Sequence, residues 1–173
     1  MLASWQACDQ GNTVSGLPGM RGALDLFRMT GAKHFLPYWE GHYATMSATA
    51  GDMSGAEASL AQCLEATERT GERWSEAELH RYQGMLLERS GKPLAEAQAC
   101  YRKAIAVAQR QGAVAWELRA TINLANSLIA QDAREPARNL IQSLVKRVSL
   151  DVDRESESKI GSLLAACGEA KAI

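Results

Sequence analysis

Histidine and cysteine are the residues of this chain best suited to metal binding or proton transfer, and their spacing is unfavourable for both. The three histidines are His34, His42 and His80, and the four cysteines are Cys8, Cys63, Cys100 and Cys167. No histidines form an H-x-x-x-H pair, and no cysteines form a C-x-x-C pair. We therefore expect no metal site and no disulfide framework, and we interpret the cysteines as reduced core thiols.

Other candidates for catalysis are equally weak. Glu76, Glu78 and His80 alternate along a predicted helix, so we expect them to point in different directions rather than to form an acid and base pair. The segment GMLLERSGKP, residues 84–93, has too long a spacing for a phosphate loop, and proline stands where Ser or Thr would hold magnesium. No serine lies in a G-x-S-x-G turn. The sequence therefore predicts a protein without catalytic activity or cofactor.

Composition limits the classes of partner. The 173 residues are 46% hydrophobic and 23% charged, which is typical of one soluble domain. The formal net charge of −1 provides no overall field to hold a nucleic acid or an anionic membrane. No apolar run approaches a membrane span, and the start MLASWQACDQ does not resemble a signal peptide. We expect a cytoplasmic protein with no nucleic-acid or membrane partner.

Regularly spaced glycines divide the chain into helical segments. Steps of 20, 20, 20, 20 and 21 residues separate Gly11, Gly31, Gly51, Gly71, Gly91 and Gly112, and one more step reaches Asp132. The intervening segments are rich in Ala, Leu, Glu, Arg and Gln, which favour helix. Glycine suits the left-handed position after a helix, where Asp132 would be a weaker substitute. We predict helices near residues 2–10, 17–30, 34–50, 53–69, 73–90, 93–110, 113–131, 134–148 and 153–167.

Small and large residues recur with a true period of about 40 residues, which covers two helices. In the second helix of each pair the small residues are Gly16, Ala56, Ala97 and Ala137. Four positions later come the larger residues Met20, Leu60, Tyr101 and Ile141. Three positions after those come Ala23, Cys63, Ala104 and Leu144. In the first helix the small residues are Ser4, Ala44, Gly84 and Ala125. A small residue at a fixed helical position lets two helix axes approach closely.

This pattern resembles the tetratricopeptide repeat. The repeat with the best match has Gly84, Gly91, Ala97, Tyr101 and Ala104 at the expected positions. The resemblance implies an all-α fold, a right-handed superhelix of helical hairpins. It comprises a half repeat at 1–30, repeats at 31–70, 71–111 and 112–150, and a capping helix at 151–173, in a single domain. The chain departs from the family in its longer period and in lacking the closing proline.

A narrower resemblance covers TGERWSEAELHRYQGMLLERSG and AEAQACYRKAIAVAQRQGAVAWELRATINLA. These segments are similar to the C-terminal repeat region of bacterial multidomain signalling proteins. In those proteins the repeats follow a class III adenylate or guanylate cyclase domain, or a winged-helix activator domain, and a P-loop ATPase module. The resemblance implies a regulatory or partner-binding role. We expect the chain to be a fragment of a larger protein, because Leu2 and Trp5 lie in a helix without an upstream partner.

The resemblance also implies which side chains face the concave groove of the superhelix. The positions carried over are Tyr38, Thr45, Glu78, Arg81, Met85, Glu88, Arg119, Asn126 and Ile129, and we add Asn123 from the run TINLAN. Asparagine can hydrogen-bond a ligand's backbone or carboxylate, and Arg81 or Arg119 could pair with its charge. We assign the tryptophans Trp39, Trp74 and Trp116 to packing.

Three functions agree with these observations. The first is a non-catalytic scaffold that binds a protein partner or a neighbouring domain of the same polypeptide through the groove. The second is a sensor whose groove binds a short peptide or a small signal molecule. The third is self-association, because an open N-terminal end at Leu2 and Trp5 could be covered by a second copy in a homodimer.

Overall fold

The computed structural model describes residues 13–31, 33–147 and 154–168, and within these ranges the chain is all-helical, with eight α-helices and no strand. The helices are α1 Thr13–Met29, α2 Leu36–Thr49, α3 Met53–Thr70, α4 Glu76–Arg89, α5 Leu94–Gln111, α6 Val114–Ala130, α7 Arg134–Arg147 and α8 Arg154–Ala166. The prediction of an all-α fold is confirmed. The helix predicted at residues 2–10 lies outside the described residues.

Helix boundaries follow the predicted breaks closely. The largest differences are at α1, which begins at Thr13 rather than near residue 17, and at α4, which begins at Glu76 rather than near residue 73. Gly31, Gly51, Gly71, Gly91 and Gly112 all have positive φ. Asp132, at φ 59°, has the same left-handed backbone, as its place in the series predicts.

Phe35 also has a left-handed backbone, which the sequence did not predict. Its φ is 66°, a rare conformation for a bulky residue. Two contacts with residues between α3 and α4 stabilise this conformation. Its N–H donates to Oε1 of Glu72 at 3.0 Å, and its ring meets the edge of Trp74 with centroids 4.9 Å apart. The tertiary structure therefore stabilises a conformation that Phe35 would not adopt by itself.

Helix packing places alternate helices in one row. Each helix from α1 to α8 contacts the next, and in addition α2 contacts α4, α4 contacts α6, and α6 contacts α8. The inner faces of α2, α4, α6 and α8 therefore lie side by side. This row positions the candidate site.

The repeating small residues allow close packing between the helices of a pair. The aligned alanines Ala56, Ala97 and Ala137 are fully buried. At Gly84 a Cβ would overlap the ring of Tyr101, with Cδ1 at 2.7 Å. Glycine at this position therefore lets α4 and α5 approach each other across the buried tyrosine. None of the helices in the described ranges is both long enough and apolar enough to cross a membrane.

Candidate binding groove

A groove of about 1060 Å³ lies against α2, α4, α6 and α8. Eight of the ten predicted groove residues line it, namely Tyr38, Thr45, Glu78, Arg81, Met85, Arg119, Asn123 and Asn126. The periodic arrangement of the first helices thus brings side chains from residue 38 to residue 126 into one surface.

An ion pair within α4 forms the centre of the groove. Glu78 is 1% exposed, and its carboxylate accepts two hydrogen bonds from Arg81. The distances are 2.8 Å from Nε to Oε2 and 2.8 Å from Nη2 to Oε1. The residues are three positions apart, so they share one face of the helix. This two-point geometry gives a strong pair with its charges compensated.

Arg119 of α6 joins this pair from the neighbouring inner helix. Its Nη1 donates to Oε1 of Glu78 at 3.2 Å, while its side chain remains 51% exposed. Burial by itself would raise the pKa of Glu78, but the hydrogen bonds and charge of Arg81 and the charge of Arg119 outweigh burial and lower it. Glu78 therefore stays ionised, and one carboxylate serves two arginines.

The same ion pair orients Asn123. Nη1 of Arg81 donates to Oδ1 of Asn123 at 3.2 Å and to Sδ of Met85 at 3.0 Å. Because the amide oxygen of Asn123 accepts from Arg81, its amide nitrogen carries the two remaining N–H donors. Asn123 therefore presents a defined donor group at the groove.

An aromatic wall closes the groove on the side of α2. The Tyr82 hydroxyl lies 2.8 Å from Nε2 of His42, and the His42 ring stands edge-on to Tyr38 with centroids 4.8 Å apart. Arg81 lies over the Tyr82 ring, 4.7 Å from its centroid. Burial raises the pKa of Tyr82 well above its usual value and also raises that of Tyr38. Both phenols are therefore neutral at physiological pH.

Two further cations line the groove that the sequence analysis did not identify. Arg89, at the end of α4, donates hydrogen bonds to Oγ1 of Thr49 and to the carbonyl oxygen of Thr45, which both belong to α2. Lys159 lines the groove from α8, beside Ser158 and Ser162. We expected α8 only to cap the fold, so its polar face was not considered a groove surface.

The groove as a whole is basic. Its ionisable side chains, apart from the phenols and His42, are Arg81, Arg89, Arg119, Lys159 and the single carboxylate Glu78. Without His42, the lining has four cationic side chains and one carboxylate. This excess contrasts with the whole chain, whose formal net charge is −1. Positive charge is therefore concentrated in the groove.

Two predicted groove residues lie elsewhere. Glu88 accepts a hydrogen bond from the Tyr101 hydroxyl at 3.0 Å, which directs its carboxylate toward α5. Ile129 packs against the hydrophobic core that contains Leu124 and Ile141. Neither residue lines the groove.

The prediction that Glu76 and His80 point in different directions was wrong. They are four residues apart and share one face of α4, and Nε2 of His80 lies 3.9 Å from Oε1 of Glu76. They do not line the groove. Burial, together with the charge of Lys103, lowers the pKa of His80, so its imidazole is largely neutral at pH 7.

The tryptophans and cysteines lie mostly in packed environments. Trp74 and Trp116 are half-buried and contact each other with ring centroids 5.7 Å apart. Cys63 and Cys167 are buried and Cys100 is half-exposed, while Cys8 lies outside the described residues. Burial raises the pKa of the Cys63 thiol to about 12. Among the described residues, no group of three or more His, Cys, Asp and Glu side chains is arranged to hold a metal ion.

Comparison with known proteins places a similar segment in a much longer chain. No family model matches this sequence. An uncharacterized protein of Rhizobium meliloti (strain 1021) is 30% identical over 120 residues. The match covers 69% of this chain but 12% of the length of the relative. The chain thus corresponds to a small part of that protein, whose printed name assigns no activity.

Proposed function

We propose that this chain is a tetratricopeptide-like repeat module that binds a segment of a protein partner, or of a neighbouring domain, in the groove between α2, α4, α6 and α8. In this proposal the module is a non-catalytic scaffold within a bacterial signalling or transcription-regulating protein, and its helices continue as a right-handed superhelix. The observation that carries the proposal is the groove itself, in which three inner helices place Tyr38, Arg81 and Asn123 on one surface.

The exposure of the groove favours a peptide segment over a small signal molecule. Sites for small ligands bury most of the ligand. This groove is lined by four helices, and Arg119 within it is half exposed. A chain segment crossing several helices would use such a surface more fully than a single small molecule.

The regulatory setting is supported by the length of the similar protein. A segment like this one occupies 12% of the Rhizobium meliloti relative, so it occurs there beside a long additional chain. In such a chain a non-catalytic binding module can position other domains. The alternative of self-association depends on Leu2 and Trp5, which lie outside the described residues.

Selection from a random peptide library tests this proposal. A phage-displayed dodecapeptide library is selected on the wild-type chain and then screened against Asn126→Trp, in which a large side chain fills the groove. The control is Arg110→Trp, on the exposed surface of α5. We expect enriched peptides that bind the wild type and the control but not Asn126→Trp.

Two outcomes would contradict the proposal. Enriched peptides that bind Asn126→Trp as well as the wild type would place binding outside the groove. Hydrolysis of a nucleotide by the purified chain, abolished in Arg119→Ala, would replace the scaffold with an enzyme.

A further inference from the structure

We infer that a second cavity, between α3 and α4, binds a small apolar α-amino acid in its zwitterionic form. The Glu57 carboxylate pairs with the ammonium group of the ligand, and Lys92 pairs with the carboxylate of the ligand. Apolar side chains of both helices enclose the side chain of the ligand. This site goes beyond the proposed function, and it does not depend on what occupies the groove.

Two matching stripes of side chains form the cavity, which has a volume of about 200 Å³. In each stripe a polar residue is followed three and four positions later by apolar residues, so all three lie on one face of their helix. The stripes are Glu57, Leu60 and Ala61 on α3, and Gln83, Leu86 and Leu87 on α4. The cavity therefore has apolar walls and one polar side chain from each helix.

The cavity and the groove use different faces of α4. Met85 lines the groove, whereas Leu87 lines the cavity. These residues are two positions apart, which in a helix of about 3.6 residues per turn places them on nearly opposite sides. Among the described residues, none lines both spaces. A ligand in the cavity therefore leaves the groove open.

The strongest indication of a ligand is an oxygen of Glu57 that lacks a partner. Its Oε1 is buried and has no hydrogen-bond partner among the described residues. Lys92 lines the same cavity and does not supply one. Taking a carboxylate oxygen out of water without a replacement donor costs free energy, and most buried polar atoms have a partner for this reason. Rotation about χ3, which is broadly allowed in glutamate, presents either oxygen to a donor in the cavity.

An ammonium group on an apolar ligand suits this environment. It carries several N–H donors and a positive charge, and hydrogen bonds between charged groups are the strong ones. Water can also donate to the oxygen, but it gains nothing from the walls, where Leu60 and Leu86 are each 2% exposed. A ligand with both an ammonium group and an apolar side chain satisfies the carboxylate and buries its own apolar surface.

Lys92 supplies the opposite charge at the same end of the cavity. Helix α3 ends at Thr70 and α4 begins at Glu76, and helices joined by so short a connection run antiparallel. Glu57, near the beginning of α3, therefore lies at the same end as Lys92, which follows the end of α4. This pair matches an α-amino acid, whose ammonium and carboxylate groups are on one carbon atom. Lys92 is exposed, so the carboxylate of the ligand stays at the mouth of the cavity.

The volume of the cavity limits the size of the ligand. A cavity of roughly 150 Å³ with aliphatic and aromatic walls holds benzene. In the same proportion, the cavity of about 200 Å³ holds roughly eight non-hydrogen atoms. Valine and leucine are close to this size, whereas glycine leaves the apolar walls without contacts. The cavity therefore favours an amino acid with a branched aliphatic side chain.

Isothermal titration calorimetry of the complete chain with L-leucine tests the inference. Three analogues each lack one group: glycine lacks the side chain, leucinamide lacks the carboxylate, and 4-methylpentanoate lacks the ammonium group. We expect leucine to bind with one-to-one stoichiometry and a dissociation constant below about 1 mM, which a ligand of this size can reach. Glycine and 4-methylpentanoate should bind at least roughly tenfold more weakly, and leucinamide severalfold more weakly.

Substitutions in the cavity locate the binding. Glu57→Gln keeps the shape of the side chain and removes its charge, so the dissociation constant for leucine should rise roughly tenfold. Lys92→Gln should raise it less, by up to about fivefold, because an exposed ion pair is weak. Ala61→Phe adds a ring to the wall from an exposed position of α3, and we expect no binding. Circular dichroism should show that all three variants are folded.

Two matched controls lie at exposed positions outside the cavity, namely Glu65→Gln on α3 for the charge and Ala99→Phe on α5 for the ring. Both should bind leucine with wild-type affinity. Wild-type affinity in Glu57→Gln or in Ala61→Phe would overturn the inference. Leucinamide bound as tightly as leucine would overturn it, since Lys92 would then not pair with a carboxylate. The absence of saturable binding at millimolar leucine would also overturn it and leave the cavity to water.

Failure of this inference is distinguishable from failure of the proposed function. Asn126→Trp fills the groove and should bind leucine as the wild type does, whereas Ala61→Phe should still bind the peptides selected for the groove. A chain that binds such peptides but no leucine keeps its proposed function and lacks this site. A chain that binds leucine in the cavity but yields no groove-dependent peptide has this site, and its proposed function is refuted.

Discussion

Glu78 and Arg81 form a two-point ion pair within one turn of α4, with both oxygens of the carboxylate engaged. Glu78 is 1% exposed, so the pair is nearly removed from water. Burying two charges costs free energy that their attraction offsets only when the geometry is good. Here the pair also orients Asn123 and Arg119, and this connects the stability of α4 to the chemistry of the groove.

Glu78→Gln is expected to destabilise the fold strongly. The substitution leaves Arg81 with an uncompensated buried charge, and breaking such pairs costs about 3–5 kcal/mol. Urea unfolding followed by circular dichroism measures the free energy of unfolding. Glu135→Gln, at an exposed position of α7, should change it by less than about 0.5 kcal/mol.

A double substitution distinguishes the effect of an unpaired charge from the effect of packing at residues 78 and 81. In Glu78→Leu with Arg81→Met no charge is left buried, so most of the stability lost by Glu78→Gln should return. A double variant as unstable as Glu78→Gln would show that packing at these positions, and not the unpaired charge, causes the loss.

The stability that Glu78 provides should depend on pH in the acid range. Its pKa in the folded protein is lowered, chiefly because the Arg81 hydrogen bonds and charge outweigh burial, whereas an unfolded glutamate titrates near about 4.3. The stabilisation is therefore fully present above about pH 4.3 and is lost as the pH falls toward the folded pKa. Below about pH 4.3 the difference in unfolding free energy between wild type and Glu78→Gln should shrink.

Urea titrations of both proteins at a series of pH values provide the measurement. The other carboxylates titrate in both proteins, so their contribution cancels in the difference. A difference that already shrinks between about pH 7 and pH 5, or stays constant down to about pH 3, would contradict the lowered pKa of Glu78.

Gly84→Ala is expected to destabilise the protein by about 1–3 kcal/mol through overpacking. The added Cβ would overlap the ring of Tyr101, which is fully buried and whose hydroxyl is held by Glu88. Gly22→Ala in α1 is the control, because nothing lies within 4 Å of its added Cβ. There the substitution should raise stability by up to about 1 kcal/mol, since alanine favours helix. Thermal unfolding of both variants gives the signs, and a neutral or stabilising Gly84→Ala would contradict the close packing.

The features that sequence analysis predicted are those with a local cause. Glycine spacing predicted the helix ends, including the left-handed Asp132, because a helix terminus needs a residue that tolerates positive φ. The small residue at Gly84 predicted a close approach of two helix axes, because small residues recur there along the chain, and the structure places the Tyr101 ring against it. Family positions placed Tyr38 and Arg119 at the groove for the same reason.

The features that sequence analysis missed depend on distant parts of the chain. Phe35 is held in its left-handed conformation by Glu72 and Trp74, and nothing near residue 35 indicates this. Glu78 would ordinarily be exposed, and its burial follows from the packing of α2 and α6 around α4. Lys159 was overlooked because only the tertiary contacts show that α8 follows α6 in the inner row.

Arg138→Ala is expected to loosen α8 and with it one wall of the groove. Nη2 of Arg138, on α7, donates to the carbonyl oxygen of Cys167 and, at 2.9 Å, to that of Gly168. These carbonyls follow the last turn of α8, where helix carbonyls lack partners within the helix. Hydrogen exchange should show faster exchange of the α8 amides in the variant, with α4 unchanged, since local opening follows lost local contacts. Lys146→Ala, at an exposed site on α7, should leave α8 protected. Unchanged exchange in α8 would show that the buried contacts of Ile160 and Leu163 hold it without Arg138, whereas faster exchange throughout the chain would assign Arg138 to the global fold.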